Sequence, residues 1–188
     1  DLWALCGSLP PGAPADFYAD LVTAVQVRGA RAILDTSEEA LRLGLAARPA
    51  GIKPNSEEAA QALGQAVASD AEHVAAARRL VDLLAPATPP APVVCLTRGA
   101  AGLVLAAGSE LVAASPPPVA ARSPVGAGDA TLAGLLWALS DGCDATETAR
   151  RAVACGTAAA MQEGTGVGSR SLVDELRPQV RIERMSSV

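Results

Sequence analysis

Two glycines and an aspartate at the head of an apolar helix can hold an anion and move a proton beside it. The stretch Arg122-Ser-Pro-Val-Gly-Ala-Gly-Asp-Ala-Thr-Leu-Ala-Gly-Leu-Leu-Trp-Ala-Leu139 has this form. Gly126 and Gly128 carry no Cβ, so the backbone can turn tightly and bring its N–H groups close to a ligand. The helix that follows adds unpaired N–H donors and the positive end of its dipole, a natural seat for phosphate. Asp129 is out of place there unless it takes a proton from whatever attacks that phosphate. The chemistry read from this turn is phosphoryl transfer to a hydroxyl. A plainer reading of the same four residues is a chain reversal, with Asp129 favouring the helix end by about 0.3–1 kcal/mol.

A second set lies upstream. Lys53 is the chain's only lysine, and the other cations are arginines. An ammonium reaches a phosphate as a flexible point charge, where arginine imposes a planar fork. Asn55 and Glu58 stand three residues apart on one helical face. Outside a motif they read as an N-cap and a dipole-favoured surface acid.

Positioning these residues requires a regular scaffold. Leu2 to Cys6 reads as a buried strand, the turn Gly7-Ser-Leu-Pro-Pro-Gly12 follows, and a helix runs from about Ala15 to Arg28 on Phe17, Leu21, Val22 and Val25. Ala32 to Leu34 is the next strand; the Ser37 hydroxyl is expected to cap a helix beginning with Glu38 and Glu39. Gly51 to Pro54 forms a short strand, Asn55 caps another helix, and a longer helix covers Asp70 to Leu84. After a linker from Ala85 to Pro92 come β runs at Val93–Thr97, Gly102–Ala106 and Glu110–Ala113. A proline-rich loop, Ser115 to Pro124, leads into the glycine turn and two packed helices, about Asp129–Leu139 and Ala145–Met161. A helix and a strand close the chain. The alternation predicts an α/β fold with a mainly parallel sheet, whose ligands sit at the C-terminal strand ends beside Gly7, Asp35, Lys53, Thr97 and Gly126.

The 188 residues suffice for one domain, half are hydrophobic, and so few are aromatic that Ala, Val and Leu must build the core. A net charge of −5 without a basic stripe argues against nucleic acid and anionic membranes as partners. Cys6, Cys95, Cys143 and Cys155 are dispersed, which predicts buried free thiols in a reducing compartment rather than a disulfide or metal site. His73, the single histidine, reads as a surface residue of an alanine-rich helix. With no apolar run of membrane-spanning length and no signal-peptide pattern, the expected location is cytoplasmic. The abrupt start on an apolar strand predicts a fragment.

Five segments in order, Gly7-Ser-Leu-Pro-Pro-Gly12, Leu34-Asp-Thr-Ser-Glu-Glu-Ala-Leu41, Lys53-Pro-Asn-Ser-Glu-Glu58, Leu96-Thr-Arg-Gly-Ala-Ala-Gly102 and Pro124-Val-Gly-Ala-Gly-Asp-Ala-Thr131, resemble the ribokinase-like (PfkB) carbohydrate kinases. The likeness is greatest to the branch containing 1-phosphofructokinase and tagatose-6-phosphate kinase. It implies a three-layer αβα domain of which residues 1–188 are the nucleotide-binding and catalytic portion, without the N-terminal part, its sugar-gripping motif and its lid. It implies ATP and Mg²⁺ as cofactors, Asp129 as the base, and the N–H groups of Gly126, Ala127 and Gly128 as an anion hole. Thr97, Gly99 and Gly102 match the nucleotide loop T-x-G-x-x-G; Asn55 and Glu58 match the N-x-x-E element that holds Mg²⁺ through water. Two positions depart from the family pattern. Arg98 stands where an uncharged residue is common, and Glu38 where glycine is common.

The function expected is ATP-dependent phosphorylation of a phosphorylated ketohexose, and a homodimer is expected of the full-length protein. The alternatives are a kinase of an unphosphorylated sugar or a nucleoside, and a nucleotide-binding remnant without transfer activity. A dinucleotide-binding domain is disfavoured, because no strand is followed by G-x-G-x-x-G opening a helix.

Overall fold

The computed structural model describes residues 1–85 and 90–185. Contacts divide the chain into two compact units, Asp1–Leu96 with Ala106–Ser109, and Thr97–Leu105 with Glu110–Val188.

The first unit follows the predicted alternation: β1 (Leu2–Cys6), α1 (Phe17–Val27), β2 (Arg31–Asp35), α2 (Glu38–Ala46), β3 (Gly51–Ile52), α3 (Ser56–Leu63), α4 (Asp70–Leu84) and β4 (Val93–Thr97). The strands pair in that order, all parallel, with Leu34 opposite Leu5 and Ile52 opposite both Leu34 and Val94. Adjacent Ile33 and Leu34 are both buried, as are Val94, Cys95 and Leu96, so both faces of these strands are covered. β3 stops after two residues because Pro54, one residue beyond Lys53, cannot donate to a ladder. Part of the expected linker, 86–89, lies outside the described residues.

Four expectations for this unit are corrected. β1 is a strand, but only Leu5 is buried and Trp3 is 53% exposed, because among the described residues β1 pairs with β2 alone. In α1 the buried face is Tyr18, Val22 and Val25, while Phe17 is exposed. The Tyr18 hydroxyl takes its place by donating to the carbonyls of Cys6 and Gly7 at 2.7 and 3.0 Å. Ser37 occupies the N-cap of α2 without a side-chain bond. Glu38 adopts φ 55°, in the left-handed region, so the first turn is not shaped to bring an N–H onto that hydroxyl. His73 is buried, because it lies on the α4 face shared with Ala76, Ala77, Leu80 and Leu84.

The second unit holds a 3-10 turn (Gly99–Ala101), β5 (Leu103–Ala107), β6 (Glu110–Ser115), α5 (Ala127–Ser140), α6 (Ala145–Ala160), α7 (Arg170–Leu176) and β7 (Arg181–Arg184). β7 returns antiparallel to β6, with Arg184 opposite Val112. Small residues bring α5 and α6 together, since a Cβ on Gly134 would meet the Arg151 carbonyl oxygen at 2.7 Å. The guanidinium groups of Arg151 and Arg170 both lie over the Trp137 ring, 4.0 and 4.1 Å from its centre.

The thiols are less uniform than expected. No disulfide joins them, but only Cys95 is buried, Cys143 and Cys155 are intermediate, and Cys6 is exposed on the thinly covered β1. No helix among the described residues is long and apolar enough to cross a membrane.

Candidate active site

In the second unit the glycine turn is built as its sequence requires. Gly126 is the N-cap of α5 at φ 79°, a conformation costly for any residue with a Cβ. Asp129 follows in the first helical turn, exposed to solvent. The Ala127 N–H donates to the Pro124 carbonyl at 3.2 Å, whereas those of Gly126 and Gly128 have no intramolecular acceptor among the described residues. Two of the three expected anion-hole donors are therefore available without rearrangement, and Ala127 must first exchange a long hydrogen bond.

A cavity of about 710 Å³ opens beside this turn, lined by Ala127, Gly128 and all of Thr97, Gly99 and Gly102. Gly102 ends the 3-10 turn at φ 95°, and a Cβ there would lie 2.0 Å from the Ala114 carbonyl oxygen, so no other residue fits. Its carbonyl accepts from the Arg98 N–H at 2.7 Å, and its own N–H donates to the Gly99 carbonyl at 3.1 Å. The rest of the lining is largely apolar, with Pro116, Pro117, Pro118, Val119 and Val153, beside the polar Arg122, Ser123, Thr131 and Thr157. A cavity that is mainly apolar and bordered by glycine-rich backbone suits a flat heteroaromatic group carrying phosphates.

The same unit contains residues that sequence reasoning passed over. Thr131 donates its hydroxyl to the Ala127 carbonyl at 2.8 Å, bracing the first turn of α5. Gly156, on α6, faces that brace: a Cβ there would sit 2.2 Å from Thr131 Oγ1 and 3.1 Å from the Ala127 oxygen. The only sequence signal was an isolated glycine within an alanine-rich helix.

In the first unit, Lys53 is 7% exposed and its Nζ lies 2.9 Å from Asp35 Oδ2. A buried ammonium needs such a partner, and losing either member would strand the other charge. Its remaining donors can serve a phosphate. Beyond Pro54, Asn55 caps α3 and Glu58 closes a reciprocal box. The Glu58 N–H donates to Asn55 Oδ1 at 2.9 Å, and the Asn55 N–H donates to Glu58 Oε2 at 2.8 Å. The plain N-cap reading is thus true as structure, and it fixes where the carboxylate stands. Burial pushes the Glu58 carboxyl above the usual range, against the pull of the Asn55 N–H and Lys53; Asp35 and Glu57 push with it. Gly7, Asp35 and Lys53 cluster as expected at strand ends. The Gly7 N–H donates to the Asp35 carbonyl at 2.9 Å, and the Thr36 hydroxyl donates to the Gly7 carbonyl at 2.8 Å.

No group of three or more His, Cys, Asp or Glu side chains suited to a metal occurs among the described residues. One half-buried carboxylate with an amide beside it fits Mg²⁺ held mainly by water and phosphate, the usual manner for that ion, and does not fit an all-protein cage.

Comparison with known proteins gives a consistent result. The profile of the pfkB family carbohydrate kinases matches residues 1–171. The 1-phosphofructokinase of Rhodobacter capsulatus is 47% identical over 154 residues, 82% of this chain and 47% of that protein. The Haemophilus influenzae 1-phosphofructokinase is 33% identical, covering 97% and 56%. Among solved structures, phosphofructokinase-2 of Escherichia coli in complex with potassium superposes with a TM-score of 0.87 at 28% identity, covering 95% of this chain and 56% of that one. The chain therefore spans about half the length of the relatives it matches, and the α/β fold is of the ribokinase-like class expected.

Proposed function

The chain belongs to the pfkB family of carbohydrate kinases, and from that premise we propose that it supplies the nucleotide-binding and catalytic portion of an ATP-dependent kinase of a phosphorylated ketohexose. The observation that carries the reading is the α5 turn. It sets the solvent-exposed Asp129 carboxylate directly after Gly128, whose N–H has no intramolecular acceptor among the described residues and which, with Ala127, lines a cavity also lined by the Thr97–Gly102 loop. The ketohexose phosphate is supported by the 1-phosphofructokinase relatives.

The steps follow from the residues. ATP lies with its base in the apolar cavity and its phosphates toward the Gly126–Gly128 turn. Asp129 accepts the proton of the acceptor hydroxyl as that oxygen bonds to the γ-phosphorus. The bond from phosphorus to the bridging oxygen breaks and ADP leaves with the electron pair. The N–H groups of Gly126 and Gly128, joined by that of Ala127, hold the charge on the phosphoryl oxygens. In the first unit, Lys53, steadied by Asp35, keeps further ammonium donors suited to a phosphate. Bound Mg²⁺ would neutralise phosphate charge, and the first-unit residues that would hold it through water are Glu58 and Asn55.

The test is ATP consumption by the whole protein with fructose 1-phosphate, fructose 6-phosphate and fructose as acceptors. The highest kcat/KM is expected with a phosphorylated ketohexose. A preference for fructose would replace that acceptor with an unphosphorylated sugar, and ATP binding without turnover on any acceptor would leave a binding remnant.

A further inference from the structure

His73 was expected at the surface, and its burial gives it a task. Its Nδ1 lies 2.7 Å from the Ser69 carbonyl oxygen and its Nε2 lies 2.8 Å from Ser56 Oγ. A carbonyl only accepts, so Nδ1 carries the hydrogen. In the neutral ring Nε2 is then an acceptor, and the Ser56 hydroxyl donates to it. Ser69 is the N-cap of α4, closed by its own box with Glu72, whose carboxylate accepts the Ser69 N–H at 2.8 Å. Ser56 is the first residue of α3, directly after Asn55. One imidazole therefore ties the start of α4 to the start of α3.

We infer that His73 is a positioning residue, which through Ser56 fixes the first turn of α3 and so the Asn55–Glu58 pair proposed to hold Mg²⁺ through water. This rests on the proposed role of Glu58. The two ring nitrogens have separable duties: the Nδ1 bond is internal to α4, and only the Nε2 bond reaches α3. Asparagine places an amide donor near the Nδ1 position and loses the reach to Ser56. Glutamine reaches the Nε2 position.

The experiment uses the whole protein with His73→Asn, His73→Gln, Ser56→Ala, the double variant His73→Asn/Ser56→Ala, and Glu58→Gln as reference. Mg²⁺-dependent ATP binding is followed by calorimetry, and the Mg²⁺ concentration for half-maximal turnover is measured beside it. His73→Asn and Ser56→Ala are expected each to raise the Mg²⁺ requirement several-fold in both measurements, with kcat at saturating Mg²⁺ within about twofold of the parent. The double variant should be no worse than either single variant, as for two members of one link, and His73→Gln should lie near the parent. If Glu58→Gln raises the requirement while His73→Asn and Ser56→Ala do not, His73 only holds two helices together and the inference falls alone. Equal losses for asparagine and glutamine also overturn it. If Glu58→Gln changes nothing, the role of Glu58 itself fails. Should His73→Asn not fold, Ser56→Ala decides.

Discussion

Gly156→Ala is the sharpest perturbation of the Gly126–Asp129 turn that touches none of the groups proposed to react there. The new Cβ would lie 2.2 Å from Thr131 Oγ1, about 1.2 Å short of the 3.4 Å at which ordinary contact begins, and 3.1 Å from the Ala127 carbonyl oxygen. Two responses are available. Thr131 can rotate and surrender its 2.8 Å bond to Ala127, a loss of about 1 kcal/mol. Otherwise the first turn of α5 moves away from α6 by about an ångström. Overpacking of this kind costs about 1–3 kcal/mol of stability. A misplacement of that size at reacting groups costs on the order of 10²-fold in rate. Steady-state kinetics and urea unfolding of the whole protein are therefore expected to show kcat falling by roughly 10²-fold in a variant that still folds. Adding Thr131→Ala removes the nearer obstacle and should recover much of the rate. A kcat within twofold of the parent in Gly156→Ala, or no recovery in the double variant, would refute the packing argument.

Three further outcomes follow from local geometry. Glu38→Gly, which relieves a side chain at φ 55°, should raise unfolding free energy by about 1 kcal/mol in urea titrations. Burial pushes the Cys95 thiol up to about 12 from an ordinary 9.0. The folded state thus keeps a proton that the unfolded chain releases, and the contribution to stability, full below pH 9, is lost as pH rises toward 12. Cys95→Ala should show a shallower decline over that window. Because the Glu58 carboxyl titrates above its usual range, Mg²⁺ must displace a proton as pH falls through that range. The Mg²⁺ requirement should rise on acidification in the parent and not in Glu58→Gln.

Much of this was legible because local signals and tertiary structure agree. α4 spans Asp70–Leu84 and β4 spans Val93–Thr97 as read, the first because Ser69 and Glu72 form a capping box and the second because its apolar run is buried on both faces. The turn at Gly126 and the loop at Gly102 were legible because only glycine tolerates their backbone. What the sequence hid depends on a neighbour. His73 resembles any polar residue of an alanine-rich helix until Ser56 is placed opposite its Nε2. Gly156 resembles a weak spot in α6 until Thr131 lies against it. Ser37 has the right residue type for a cap, but the bond is lost to the conformation of Glu38, at a position where the family commonly has glycine.

The claim on which the rest depends is that Asp129 removes the hydroxyl proton. Its most direct test is Asp129→Asn in the whole protein, measuring kcat with saturating ATP and ketohexose phosphate beside the Kd for ATP. The amide keeps the shape and loses the basicity, so kcat should fall by roughly 10²–10⁴-fold with the Kd for ATP nearly unchanged. A kcat equal to that of the parent would contradict the mechanism and return Asp129 to a helix-end acid.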